Sequence, residues 1–209
     1  QVYLILQQPD SAKAIYTKGA EITIKQFGKH SPLAAQAYAT LGSIYKYESD
    51  QIDLGDEEKL NEAKDYYNKA ISIRENSKGN SKEILMTSTM DWRFALSSIY
   101  MKLNDYNNAF RTIDKLINDL EDLQLDNKFG LYNCYYTKAS MIVESERDAE
   151  DALELLLKAK NLSSQLTFPN NSMKEMQLFS LSFALGNVYE KMGMQNEAID
   201  SYENAYDKL

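Results

Sequence analysis

Few side chains in this sequence have the types and spacing that chemistry needs. His30 is the only histidine. It sits in Gly28-Lys29-His30-Ser31-Pro32, with no cysteine and no paired carboxylates beside it. An imidazole without a nucleophile or second base in reach has nothing to exchange a proton with, so a capping or surface role is the expectation. Cys134 is the only cysteine, which excludes an intrachain disulfide and, with no local histidine, a zinc site. On its predicted helix it either points outward or packs inside, and a lone cysteine among apolar neighbours ordinarily packs inside as an inert thiol. There is no glycine-rich phosphate loop, no H-E-x-x-H and no G-x-S-x-G. No catalytic residue, metal or cofactor is therefore expected. Asn161-Leu162-Ser163 and Asn170-Asn171-Ser172 match the glycosylation sequon, which matters only in a secreted protein.

Carboxylates offer more. The stretch from Lys46 to Glu62 carries Glu48, Asp50, Asp53, Asp56, Glu57 and Glu58 around Gly55. A calcium loop needs oxygens at alternate positions ahead of its glycine, and Asp50 and Asp53 have the wrong spacing. The stretch is instead expected to lengthen the preceding helix by a turn and then form a solvated acidic loop, open to a basic partner. Glu144, Glu146, Asp148, Glu150 and Asp151 form a second run, of the kind that favours a helix start.

The elements that hold these residues are helical. Only 3 prolines and 8 glycines occur in 209 residues, which favours long helices over a turn-rich β architecture. With 23 basic and 31 acidic residues the chain has a net charge of −8 and lacks the basic footprint of a nucleic-acid binder. The same charge disfavours an anionic membrane surface, and no apolar run approaches the roughly 18 residues of a membrane span. A small-molecule substrate is not expected either. The chain does not begin with methionine. It is expected to be a fragment of a longer protein, cytoplasmic or in another soluble compartment, with any targeting segment lying elsewhere.

A ruler recurs along the chain. Leu185-Gly186-Asn187-Val188-Tyr189 is followed by Ala198, Tyr202 and Ala205. The same offsets give Leu96-Ser97-Ser98-Ile99-Tyr100 with Ala109, Ile113 and Leu116, and Ala139-Ser140-Met141-Ile142-Val143 with Ala152, Leu156 and Ala159. Leu41-Gly42-Ser43-Ile44-Tyr45 is followed by Ala63, Tyr67 and Ala70 after nine extra residues. Tyr3, Ala12, Tyr16 and Gly19 make a partial copy at the start. Small residues mark where two helices approach, and large apolar ones fill the space between them. Trp92, Leu96, Ile99 and Leu103, and again Leu178, Leu181, Leu185, Val188 and Met192, recur at helical spacing. Ser31 before Pro32 reads as an N-cap, Ser172 and Glu175 as a capping box, and Gly193 and Leu103-Asn104-Asp105 as turns within helix pairs.

These residues resemble the tetratricopeptide repeat family, whose signature is L-G-x-x-Y, then A, an aromatic and A. The resemblance implies an all-α fold: a right-handed superhelical solenoid of antiparallel helix pairs. About four full repeats and one partial N-terminal repeat make a single domain over 1–209, divided roughly as 1–30, 31–80, 81–125, 126–168 and 171–209, with the acidic insertion at 46–62. The alanines at 12, 63, 109, 152 and 198 step by 51, 46, 43 and 46, against about 34 for an ordinary repeat. Longer second helices or longer loops between repeats would absorb the difference. The long repeats of kinesin light chains are similar: Gly28-Lys29-His30-Ser31-Pro32 looks like their G-K-x-H-P linker, and Ala70-Ile71-Ser72-Ile73-Arg74-Glu75 like their A-L-x-I-R-E helix.

In that family the first helices line the concave face. The resemblance therefore implies a partner-binding groove at Gln36, Thr40, Ser43 and Tyr47, then Asp91, Phe94, Ser98 and Met101, then Thr137, Lys138 and Met141, then Phe183 and Asn187. Aromatics, methionines and short polar groups suit a peptide, although Phe94 and Phe183 could equally complete packing between repeats. The family's carboxylate clamp is missing, since Ala39 and Ser43 stand at its first pair and Arg93 or Lys138 would act alone. The kinesin-light-chain asparagines are replaced at Ala39-Thr40, Phe94-Ala95, Thr137-Lys138 and Phe183-Ala184. The expected function is a non-catalytic adaptor binding a protein or peptide in the groove. The alternative is a structural subunit of a larger complex, with or without a membrane anchor, joined through the convex face or the insertion.

Overall fold

A computed structural model describes residues 9–52, 56–77, 79, 81–122 and 127–207. Among the described residues all regular structure is helical. The helices are α1 (Pro9–Phe27), α2 (Pro32–Asp50), α3 (Glu57–Glu75), α4 (Lys82–Lys102), α5 (Tyr106–Asp122), α6 (Lys128–Glu144), α7 (Ala149–Ser163), α8 (Asn171–Lys191) and α9 (Gln195–Tyr206). They fall into two compact units, Gln1–Thr112 and Ile113–Leu209, with the boundary inside α5.

Local chemistry sets the ends. Ser31 caps α2, its Oγ accepting from Ala34 N at 3.1 Å with Pro32 in the first turn, so His30 lies exposed just outside the helix. Asp56 caps α3 through Lys59 N at 3.1 Å. At α8 the cap is Asn170, which accepts from Met173 N at 2.8 Å. The capping box expected at Ser172 and Glu175 thus lies inside the helix, because the amide oxygen two residues earlier takes the orphan N–H first.

Three of the turns within pairs are one motif. Asp105 N donates to Tyr100 O at 2.8 Å, Arg147 N to Ile142 O at 3.1 Å and Met194 N to Tyr189 O at 2.9 Å. The residues before them, Asn104, Glu146 and Gly193, have φ of 56°, 55° and 75°. These are Schellman closures, whose left-handed residue satisfies the last carbonyls of the first helix. Glycine adopts that conformation freely and glutamate does not. Glu146→Gly is expected to raise stability by about 1 kcal/mol, and Gly193→Ala to lower it by about the same amount. Urea unfolding of the two variants checks the opposite signs.

The first full copy departs from this pattern. α2 runs five residues past Tyr45, whereas α4 and α8 stop two past Tyr100 and Tyr189, so the insertion does add about a turn of helix. Ser49 at that added end is fully buried, and its Oγ accepts from Asp56 N at 2.8 Å. The extended helix is thereby tied to the start of α3. The long period comes from first helices of 17–21 residues as well as from second helices such as α3 at 19, so length was added on both sides of the pair.

Packing follows the ruler. Ala63, Ala70, Ala109, Ala152, Ala159, Ala198 and Ala205 are all buried. In the first unit Leu41, Tyr67, Leu60, Ile73, Leu96 and Ile99 form one core with Ala34, Ala35 and Tyr38. In the second, Ile113, Leu116, Tyr132, Cys134, Leu156, Leu181 and Val188 are buried to 2% exposure or less. Of the partial copy, Tyr3 and the Ala12 side chain lie outside the described residues. Its Gly19 is exposed while the neighbouring Ala20 is buried.

Candidate functional site

The first carboxylates of the acidic insertion are paired with lysines, Glu48 half-buried and Asp50 exposed. Glu48 Oε2 lies 3.0 Å from Lys13 Nζ of α1 and 3.2 Å from Lys59 Nζ of α3. Asp50 is paired with Lys46 at 2.7 Å and with Lys102 of α4. Asp53 and Gly55 lie outside the described residues. Burial acts to raise the Glu48 and Asp50 carboxyls, but hydrogen bonds and charge from the flanking lysines outweigh it and hold both below their ordinary values. Burial likewise acts to lower Lys13, yet its bond to Glu48 leaves it raised. Two carboxylates from the stretch expected to add a helical turn and then form a solvated acidic loop therefore tie α1, α2, α3 and α4 together.

This network has a pH signature. Lowered carboxyl values contribute stability above the unfolded values near 4.3 and 3.9, and the contribution is lost as pH falls through the folded ones. Raised Lys13 contributes below about pH 10.4 and loses its contribution as pH climbs through its folded value. The Glu48→Gln/Asp50→Asn variant is expected to lose about 1 kcal/mol less than the parent between pH 5 and pH 3, measured by urea unfolding at each pH.

On the first-helix face of unit one, Thr40 and the exposed Ser43 are hydrogen-bonded within the unit. Thr40 Oγ1 donates to Gln36 O at 2.9 Å. Ser43 Oγ donates to Ala39 O at 3.1 Å and lies 2.8 Å from the Tyr67 hydroxyl. Gln36, Tyr47 and Asp91 are exposed, while Phe94 and Ser98 are half-buried. Met101 is buried at 6% and stands in the interior. Arg93 is buried and held by Glu75 at 2.7 Å.

In unit two a cleft of about 210 Å³ opens between the first helices α6 and α8. Its walls are Tyr136, Ser140, Val143 and Glu144 from α6 and Phe183, Ala184 and Asn187 from α8, with Ala139, Leu156 and Val188 at its floor. Tyr132 Oη donates to Gln177 O at 3.3 Å, and Lys191 Nζ to Val143 O at 2.9 Å, so the two helices are stitched at both ends of the opening. Phe183 is 47% exposed and stacks on Phe179 at 6.0 Å, with the Tyr202 ring tilted 5.5 Å away. Tyr202 Oη, 2.8 Å from both Asn187 Oδ1 and Glu190 Oε2, shares its one proton between them. A second, shallower apolar surface formed by Phe179, Phe183, Tyr202, Ala205 and Tyr206 adjoins it through Phe183.

Of the residues picked from sequence in unit two, Phe183 and Asn187 line this cleft. Met141 does not: it is 3% exposed and packs inward. Lys138 faces away toward Asp114, 2.7 Å distant, and Thr137 is half-buried. Tyr136, Ser140 and Glu144 were missed. A helix turns about 100° per residue, so a phase error of one residue exchanges Ser140 for Met141. The missed signal was in the ruler itself. This copy carries neither the glycine nor the tyrosine of L-G-x-x-Y, and Leu156 replaces the aromatic of its second helix. Nothing large fills the position over Ser140, the one small position of the four full copies that is exposed.

Cys134 is fully buried, and burial pushes its thiol up to about 12, which leaves it inert rather than facing the cleft. Among the described residues no helix is long and apolar enough to cross a membrane.

Comparison with known proteins points one way. A tetratricopeptide repeat model matches residues 54–77, 93–118 and 180–207. No curated protein sequence matches the chain. Among solved structures, BtubC (BKLC) from P. vanneervenii superposes with a TM-score of 0.73 at 16% identity, over 96% of this chain and 72% of that one. A kinesin light chain from Podosopora anserina with nearly identical TPR-like repeats gives 0.70 at 13% identity, over 99% and 89%. A single-substitution variant of that protein also gives 0.70, at 14% identity over the same shares of the two chains.

Proposed function

We propose that this chain, a tetratricopeptide repeat protein with long, kinesin-light-chain-like units, is a non-catalytic adaptor that holds a partner peptide on its first helices. The family's repeats are generally protein-interaction modules. The observation that carries the reading is the α6–α8 cleft, where an exposed aromatic, Phe183, stands beside a small apolar hollow rimmed by Ser140 and Asn187. An aromatic anchor next to a pocket with a few polar groups is how peptide grooves hold a side chain and a main chain together. The alternative is a structural subunit joined through the convex face or the insertion, and its insertion route is disfavoured because Glu48 and Asp50 are already satisfied by lysines of the same chain.

Affinity capture with the wild-type chain and a Phe94→Ala/Phe183→Ala variant tests this. Loss of partners in the variant supports groove binding. Partners retained there but lost when residues 51–55 are deleted would shift the interface to the insertion.

A further inference from the structure

Charge is unevenly placed along this chain. Residues 1–112 carry 14 basic and 14 acidic side chains, while 113–209 carry 9 and 17, so the whole net charge of −8 belongs to the second unit. At one end of the α6–α8 cleft stands Glu144, exposed, followed through the turn by Glu146, Asp148, Glu150 and Asp151. Arg147 and Lys191 are the basic residues there, and Lys191 is engaged on the Val143 carbonyl. That end is also the C-terminus of α6, where the helix dipole adds partial negative charge. The cleft, at about 210 Å³, is smaller than the roughly 300–1,000 Å³ of ordinary small-molecule sites. It has room for one medium apolar side chain, over a floor of Ala139, Leu156 and Val188.

Building on the groove reading above, we propose that this cleft selects a basic peptide: one Leu, Ile or Met seated beside Phe183 over Leu156 and Val188, with a Lys or Arg within a turn of it meeting Glu144. The apolar anchor supplies contact area. The cation gains from the field of the acidic unit, which speeds encounter and rejects acidic competitors. Ser140 Oγ, already donating to Tyr136 O at 3.1 Å, keeps lone pairs to accept a peptide N–H.

The test is selection of a random 12-residue phage-displayed library on the purified full chain, followed by fluorescence anisotropy of the selected peptides. Selected peptides are expected to carry Lys or Arg within four residues of an aliphatic anchor and to lose affinity at least tenfold on Phe183→Ala. They should also lose about tenfold on Glu144→Lys and weaken as salt is raised from 50 to 200 mM. Glu144 is exposed, so its variant should melt with the parent. Peptides that need Phe183 but are neutral or acidic, or ignore Glu144→Lys, would overturn the basic selectivity and leave the groove intact. Peptides indifferent to Phe183→Ala, or no enrichment at all, would overturn the groove reading itself.

Discussion

Tyr132→Ala is expected to lower the stability of the chain by about 4 kcal/mol, at the upper end of what a single side chain controls. Tyr132 is 1% exposed. Its ring lies between Phe129, 6.5 Å away, and Tyr136, 6.3 Å away. Its hydroxyl reaches across to Gln177 O of α8. Burial pushes the phenol up to about 12, so it remains a donor throughout the physiological range. Truncation would leave a ring-sized cavity, whereas Tyr132→Phe removes only the hydrogen bond and should cost about 1 kcal/mol. Urea unfolding separates the two. Equal losses for Ala and Phe would show that the hydroxyl, not the ring, holds the α6–α8 contact.

The second large effect is a coupling. A Cβ at Gly186 would stand 2.5 Å from Tyr202 Cε1, and at Gly42 it would stand 3.0 Å from Tyr67 and 3.2 Å from the Ala63 carbonyl. In the other two copies serine replaces the glycine, and Ile113 and Leu156 replace the tyrosine. Glycine thus goes with a ring and serine with an aliphatic chain, because the flat ring needs the space that a Cβ would take. Gly186→Ala alone should cost about 2 kcal/mol: the ring is forced off its site and its bonds to Asn187 and Glu190 go with it, against about 1 kcal/mol of regained helix propensity. In a Tyr202→Leu background the same substitution should stabilise by up to about 1 kcal/mol. A double-mutant cycle should therefore return a coupling near 3 kcal/mol. A coupling below about 0.5 kcal/mol would remove the close contact as the reason for this pairing.

The helix pairs were legible because most ruler positions answer to a packing demand that recurs across the full copies. Leu41, Ala63, Leu96, Ala109, Ala152, Leu185 and Ala198 are all buried where small or apolar types require it. The turn at Asn104 and Gly193 was legible for a similar reason, since only a few residue types accept positive φ. Glu146 in the third copy gave no such signal. The candidate site was half legible. Phe183 and Asn187 lie where the signature leaves the first helix open, but α6 departs from the signature at three positions and its outward face shifts by one residue. The pairing of Glu48 and Asp50 with Lys13 and Lys102 was out of reach, because it joins residues 35 and 52 apart in sequence. An acidic run looks the same on paper whether water or lysine faces it.

Cys134 has a practical consequence. A single thiol, fully enclosed in the second unit, reacts with iodoacetamide only when residues around it open. Its alkylation rate therefore times the opening of residues 113–209 and ignores local fraying of α1–α4. The Tyr132 and Gly186 variants should accelerate that labelling, the logarithm of its rate rising in proportion to their lost stability, while Glu48→Gln should leave it unchanged unless the two units open together. One native atom can thus report whether the repeats come apart in halves or all at once.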